Sequence, residues 1–246
     1  MPFDLGPLAT LWMAVAMFGA AFVRGYSGFG FAALVVSAAG LVTNPLHIVP
    51  VVIIADILLT AQQARGIRPH VQWRRVLTLF AGCLVGVPIS LWALSAIGID
   101  LARALISAFI LVMCAALLTG WRLRRATGDT AHVATGLVSG LANGAAVGGL
   151  PVAVFFAAQP LSAAAFRATL IAYFTLLDLW TLPLMAARGL ITTDTLLATA
   201  MGLPLMVAGV WLGGKRFLAA DPQSFRRFAI VLLAILALLG LGRSLL

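Results

Sequence analysis

Four charged residues of this chain stand inside hydrophobic runs: Arg24, Asp56, Arg167 and Asp178. An ionisable side chain at membrane depth is expensive, and by default it marks a transport or gating function. Arg24 opens the stretch Arg24-Gly25-Tyr26-Ser27-Gly28-Phe29-Gly30-Phe31, and Arg167 stands in Ala165-Phe166-Arg167-Ala168-Thr169. A guanidinium presents a planar fork of donors that matches an oxyanion, so both arginines are candidate substrate or gate contacts. The competing reading is a side chain that snorkels from a helix end to the interface. Asp56 and Asp178 lie in similar settings, Ala55-Asp56-Ile57-Leu58-Leu59-Thr60 and Leu177-Asp178-Leu179-Trp180-Thr181. Each could load and release a proton. Each could instead pair with an arginine or cap a broken helix, and the structural reading stands slightly ahead.

Glycines surround these charges. Three glycines in six positions, Gly25, Gly28 and Gly30, interrupt an apolar run that would otherwise be one long helix. A second interruption, Asn143-Gly144-Ala145-Ala146-Val147-Gly148-Gly149-Leu150-Pro151, follows about 119 residues later. Broken hydrophobic segments at corresponding places in two halves point to a transporter's substrate site. Irregular backbone at membrane depth is tolerated only inside protein or along a cavity. The free N–H groups of a broken helix attract an anion. Gly25, Gly28, Gly30, Gly144, Gly148 and Gly149 are therefore candidate backbone donors or hinges, with Tyr26, Ser27 and Asn143 adding side-chain donors. The alternative for any single glycine is tight helix packing.

The elements that must position these residues are membrane helices. The chain has 246 residues, 63% of them hydrophobic and only 9% charged, with a mean hydropathy of +1.11. No soluble domain has that composition. All seven acids are Asp. The net charge of +9 is read as cytoplasmic Arg and Lys rather than nucleic-acid binding. The N-terminal Met1-Pro2-Phe3-Asp4 lacks the basic start of a secretory signal, so the first hydrophobic segment is expected to stay in the mature protein. Cys83 and Cys114 stand singly in apolar runs and read as packing residues. His47 and His132 are expected near an interface and His70 in a basic loop, with Trp12, Trp73, Trp121, Trp180 and Trp211 mostly as lipid or interface anchors.

Taken in order, the first broken segment runs from about Leu8 to Val42 and is followed by hydrophobic elements at about 46–64, 76–97 and 103–121. The second broken segment covers about 131–158, followed by elements at about 162–187, 192–214 and 227–244. The halves, 1–125 and 126–246, align at Gly25 with Gly144, Asp56 with Asp178, Gly86 with Gly209 and Arg103 with Arg226, at offsets of 119 to 123. This drift suggests a duplication. Charge orients it. If each broken segment enters and leaves on one side, four basic residues in the 65–75 loop, three in 122–125 and four in 215–227 face the cytoplasm, eleven of the sixteen. The first half then starts outside and the second inside. The expected fold is all-α, with two inverted-topology repeats of about four helical elements, each opening with a broken or re-entrant helix pair.

At Gly25-Tyr26-Ser27-Gly28-Phe29-Gly30, and again at Gly136-Leu137-Val138-Ser139-Gly140-Leu141-Ala142-Asn143-Gly144 with Gly148-Gly149-Leu150-Pro151, the chain resembles the TauE/SafE family of sulfite and organosulfonate exporters. The resemblance covers nearly the whole length. The family often extends the first motif with more glycine, where Phe31 and Ala32 stand here, and the second has Ala145-Ala146-Val147. The resemblance implies export of a small sulfur-containing anion such as sulfite, sulfoacetate or a related sulfonate. It implies a multi-pass protein of a bacterial inner membrane.

Other classes fit less well. A proton-coupled cation or metabolite carrier would use Asp56 and Asp178 as ligands, but an arginine beside both breaks opposes a cation. An enzyme needs a nucleophile–base pair or a metal set, and the His and Asp spacings show neither. No cofactor or metal is expected. The expected partners are a small anion and the lipid bilayer, with a homodimer left open and nucleic acid excluded.

Overall fold

The computed structural model describes residues 2–120, 122–123 and 127–217, and in the last segment 230–231, 233–235 and 237–242. Trp121, Arg124, Arg125, Asp221, Arg226, Arg227 and Arg243 lie outside the described residues, and so do both ends of the expected 227–244 helix. All regular structure among the described residues is helical: α1 (Pro7–Ser27), α2 (Phe31–Gly40), α3 (Pro45–Ile67), α4 (Trp73–Ser95), α5 (Ile99–Leu118), α6 (Asp129–Asn143), α7 (Gly149–Ala157), α8 (Ala163–Ala187) and α9 (Thr193–Phe217). The described positions between 230 and 242 are helical too. Six of these helices are long and apolar enough to cross a membrane, so the protein is a multi-pass membrane protein. At about 1.5 Å per residue, α2 and α7 span roughly 15 and 13 Å, about half of a bilayer core.

Local chemistry sets the ends. Pro7 and Pro45 open α1 and α3 at positions whose N–H would be orphaned anyway. The Asn44 side chain accepts from the Leu46 N–H, and Ser162 caps α8 by accepting from Ala165. α1 stops where Gly28 turns left-handed at φ 82° and its N–H closes on the Arg24 carbonyl. Gly30, at φ 88°, then launches α2. The second break is built differently. Gly144 and Gly148 are right-handed, and the residue with positive φ is Ala146, at 55°.

Each break makes a hairpin that returns to the side it came from. Trp12 Nε1 on α1 donates to the Ala38 carbonyl on α2, and Phe3 stacks on His47 at the start of α3. In the second hairpin, His132 near the start of α6 meets Phe155 and Phe156 near the end of α7. This buries His132, with 4% exposure, where the sequence suggested an interface. α7 folds back over it, and its Nδ1 is held by the Gly128 carbonyl.

Glycine seams fix the hairpins. α1 runs parallel to α9, with Gly25 against Val210 and Gly213 against Phe22. α6 runs parallel to α4, with Gly136 against Leu79 and Gly82 against Val133. A Cβ on Gly136 would lie 1.9 Å from the Leu79 carbonyl oxygen, and one on Gly25 would lie 2.3 Å from that of Val210. Only glycine permits backbones this close, the arrangement by which membrane helices associate. Between the seams, α3 and α8 cross antiparallel. Thr60 meets Thr175, and Ile67 packs with Ala168 and Ile171.

Candidate functional site

The two hairpin tips meet around a small cavity of about 40 Å³, room for about three water molecules or one small oxyanion. The first hairpin contributes Arg24, Gly28, Phe29 and Gly30 with the first turn of α2. The second contributes Asn143, Ala146, Val147, Gly149 and Leu150. Asp56 on α3 and Phe174, Leu177 and Asp178 on α8 complete the wall.

Arg24 is 1% exposed, so its charge must be met locally. Nε donates to Asp56 Oδ1 at 2.6 Å and Nη2 to Oδ2 at 3.1 Å, a two-pronged ion pair. Nη2 also reaches Thr60 Oγ1 at 2.8 Å and the Asp56 carbonyl at 3.2 Å, while Nη1 donates to Gln63 Oε1 at 2.9 Å. Residues 56, 60 and 63 lie on one face of α3, at the spacing that brings side chains together. The Asp56 side chain thus takes the role of an arginine partner.

Asp178 lines the same cavity as Arg24, Asp56 and Asn143. Asn143 Nδ2 donates to Thr181 Oγ1 at 2.8 Å. Asn143 precedes Gly144 as Arg24 precedes Gly25, so the second hairpin carries a neutral amide at the place where the first carries a cation.

Two helix N-termini point at this cavity. Phe31, Ala32 and Ala33 open α2, and their N–H groups have no partner within the helix. α7 offers Gly149, because the Leu150 N–H is taken by the Val147 carbonyl at 3.2 Å and Pro151 has no N–H. Both ends bring partial positive charge to one small volume.

The remaining predicted residues hold the tips rather than line the cavity. Arg167 Nη2 donates to the Gly25 carbonyl at 2.8 Å, and its stem lies against Gly28, where a Cβ would come within 2.7 Å. It thus places a cation at the C-terminus of α1. Ser27 Oγ lies 2.8 Å from the Val23 carbonyl and accepts from the Phe29 N–H at 3.4 Å. Tyr26 is buried in the seam with α9, next to Gly213. Gly144 packs on Ser90, whose Oγ accepts its N–H at 3.1 Å, and Gly148 lies against Ser139, whose hydroxyl donates to its carbonyl at 2.6 Å.

Sequence reasoning missed Thr60, Gln63, Thr181, Ala146 and Phe174. Thr60 and Gln63 were legible as the i+4 and i+7 neighbours of Asp56. Ala146 and Phe174 carry no local signal; the Phe174 ring fills the space beside Gly149, where a Cβ would lie 2.9 Å away.

The chain is 27% identical over 230 residues to a probable sulfite/organosulfonate exporter TauE of Cupriavidus necator, covering 89% of this chain and 86% of that protein. No solved structure matches this chain. The family described as sulfite exporter TauE/SafE matches residues 13–239, both hairpins and the helices between them, and the chain belongs to that family.

Proposed function

We propose that the protein exports a small sulfur-containing oxyanion, such as sulfite, sulfoacetate or a related organosulfonate, across a bacterial inner membrane. It acts as a secondary transporter and not as an enzyme. The anion binds in the cavity between the hairpin tips. The single observation behind this reading is the convergence of the α2 and α7 N-termini on one buried space beside Arg24. The N–H groups of Phe31, Ala32, Ala33 and Gly149 coordinate the oxygens, with Arg24 and Asn143 at the rim. Gly25, Tyr26, Ser27, Gly144, Gly148 and Arg167 support the site by fixing the backbone that forms it. The direction fits the membrane potential, since a monoanion leaving a cell held at about 100 mV, inside negative, gains about 2.3 kcal/mol.

The two halves, 1–125 and 126–246, act as inverted repeats. Support comes from the matched hairpins and the exchanged seams, in which the first helix of each half runs parallel to a late helix of the other. If α4 and α6 both start in the cytoplasm, α1 and α9 both start outside, as the basic loops require. A cation carrier built on Asp56 and Asp178 is less well supported, because the Asp56 carboxylate is engaged by Arg24.

The test is ligand-induced thermal stabilisation of the purified protein by sulfite, sulfate, sulfoacetate, taurine and acetate. Ala33→Asp is the control, since it places a tethered carboxylate at the N-terminus of α2. One sulfur oxyanion should stabilise the wild type and fail to stabilise Ala33→Asp. Equal shifts in both proteins would remove the site from this cavity.

A further inference from the structure

Two carboxyls and one guanidinium surround the cavity. Fully ionised, they carry one net negative charge, which is the wrong sign for an anion site. Arg24 is committed to Asp56 by the two-pronged pair, so the unbalanced charge is that of Asp178. The second hairpin offers it Asn143 in place of an arginine. The ionisable groups near Asp178 are Arg24 on α1, Asp56 on α3, Cys83 on α4 and Tyr173 on α8. α6 presents Asn143, and α2 and α7 contain no ionisable residue. Tyr173 spends its hydroxyl proton on Ser139 Oγ at 2.8 Å. Among the described residues, no second cation faces the carboxyl from these elements.

We propose that Asp178 must hold a proton for the cavity to accept an anion, so that anion binding is linked to the uptake of one proton. This rests on the anion site placed between the hairpin tips. With the proton in place, the Asp178 hydroxyl donates to the Asp56 carboxylate across the α3–α8 crossing. Asp56 remains paired with Arg24, and the three side chains sum to zero charge. The α2 and α7 N-termini then set the potential of the cavity, and an anion enters against no net charge. With the proton lost, a carboxylate lines the same small volume, and the two anions compete for it. Low pH opens the site and high pH closes it.

The experiment measures binding of methanesulfonate, which stays singly ionised across the range, by calorimetry on the purified full chain from pH 5 to 9. Above the Asp178 midpoint, the wild-type Kd should rise about tenfold per pH unit, the slope of one linked proton. In weakly buffered solution in that range, binding should take up close to one proton per anion. Asp178→Asn, which is neutral at every pH, should lose both the slope and the uptake. Methanesulfonate binding with a flat pH profile and no proton uptake in the wild type would overturn the linkage while leaving the anion site standing. A slope that persists in Asp178→Asn would assign the proton to another group and also overturn it. No binding of methanesulfonate, sulfite or sulfate at any pH would overturn the site itself, and the linkage with it.

Discussion

The ion pair between Arg24 and Asp56 can be tested for both of the roles given to it. Its two side chains are 1% and 8% exposed, and the pair is joined by two hydrogen bonds, with Thr60, Gln63 and a backbone carbonyl completing the arginine's shell. Arg24→Gln leaves the Asp56 carboxylate buried without a cation, and Asp56→Asn leaves the guanidinium buried without an anion. Removing one partner of a buried pair costs about 3–5 kcal/mol. Replacing both by neutral amides removes the uncompensated charge, so the double variant should cost much less than the two single variants together. The coupling energy should be at least about 2 kcal/mol in the stabilising direction, well above the additivity error of about 0.5 kcal/mol for independent sites. Unfolding titrations in mixed micelles, followed by tryptophan fluorescence, would measure all four proteins. Anion binding separates the two roles: the double variant should recover stability but not binding, because the rim cation is gone. Additive losses would show that the two side chains do not form the buried unit described. Full anion binding by the double variant would remove Arg24 from the site.

Two further predictions concern the backbone. Gly136→Ala drives a methyl to 1.9 Å from the Leu79 carbonyl oxygen, so α4 and α6 must separate. The expected loss is about 1–3 kcal/mol from overpacking, read as a lowered Tm. Gly19→Ala, at a glycine with nothing within 4 Å, should be neutral or slightly stabilising through helix propensity; equal effects at the two sites would contradict the seam. At Ala146, where φ is 55°, glycine should leave stability within about 1 kcal/mol, because relief of the left-handed strain is offset by added freedom in the unfolded chain. Valine should lower the Tm clearly, since a β-branched residue is an outlier there. A harmless Ala146→Val would argue against the left-handed turn.

Much of this architecture was legible because bilayer length and glycine placement are local signals. The breaks at Gly28–Gly30 and 144–148 and the long spans all follow from runs and interruptions of apolar sequence. What the glycines do was less legible. Gly30 supplies a backbone angle, Gly25, Gly136 and Gly144 supply closeness to another helix, Gly28 supplies both, and a single sequence makes these look alike. The pairing of Arg24 with Asp56 spans 32 positions and depends on how α1 crosses α3, which no local pattern encodes. For the same reason, the sequence leaves Arg167 between a substrate or gate contact and a snorkelling side chain, and its bond to the Gly25 carbonyl appears only in the fold. His132 reads as interfacial because the return of α7 over it is a tertiary event.

The exchanged seams also govern how the chain is made. α1 leaves the ribosome well before α9, the helix that seals its glycine face and spans Thr193–Phe217. Until α9 is made, the first hairpin therefore sits in the bilayer with its small-residue face unmatched, and Arg24 must rely on α3, the next long helix to arrive. The second hairpin follows its partner α4 instead of preceding it, so it can dock as it emerges. Assembly is therefore ordered, with the second hairpin seated first and the first hairpin locked only when α9 arrives. A chain truncated before α9 would keep the Arg24–Asp56 pair but leave α1 without its seam, a ready substrate for membrane quality-control proteases.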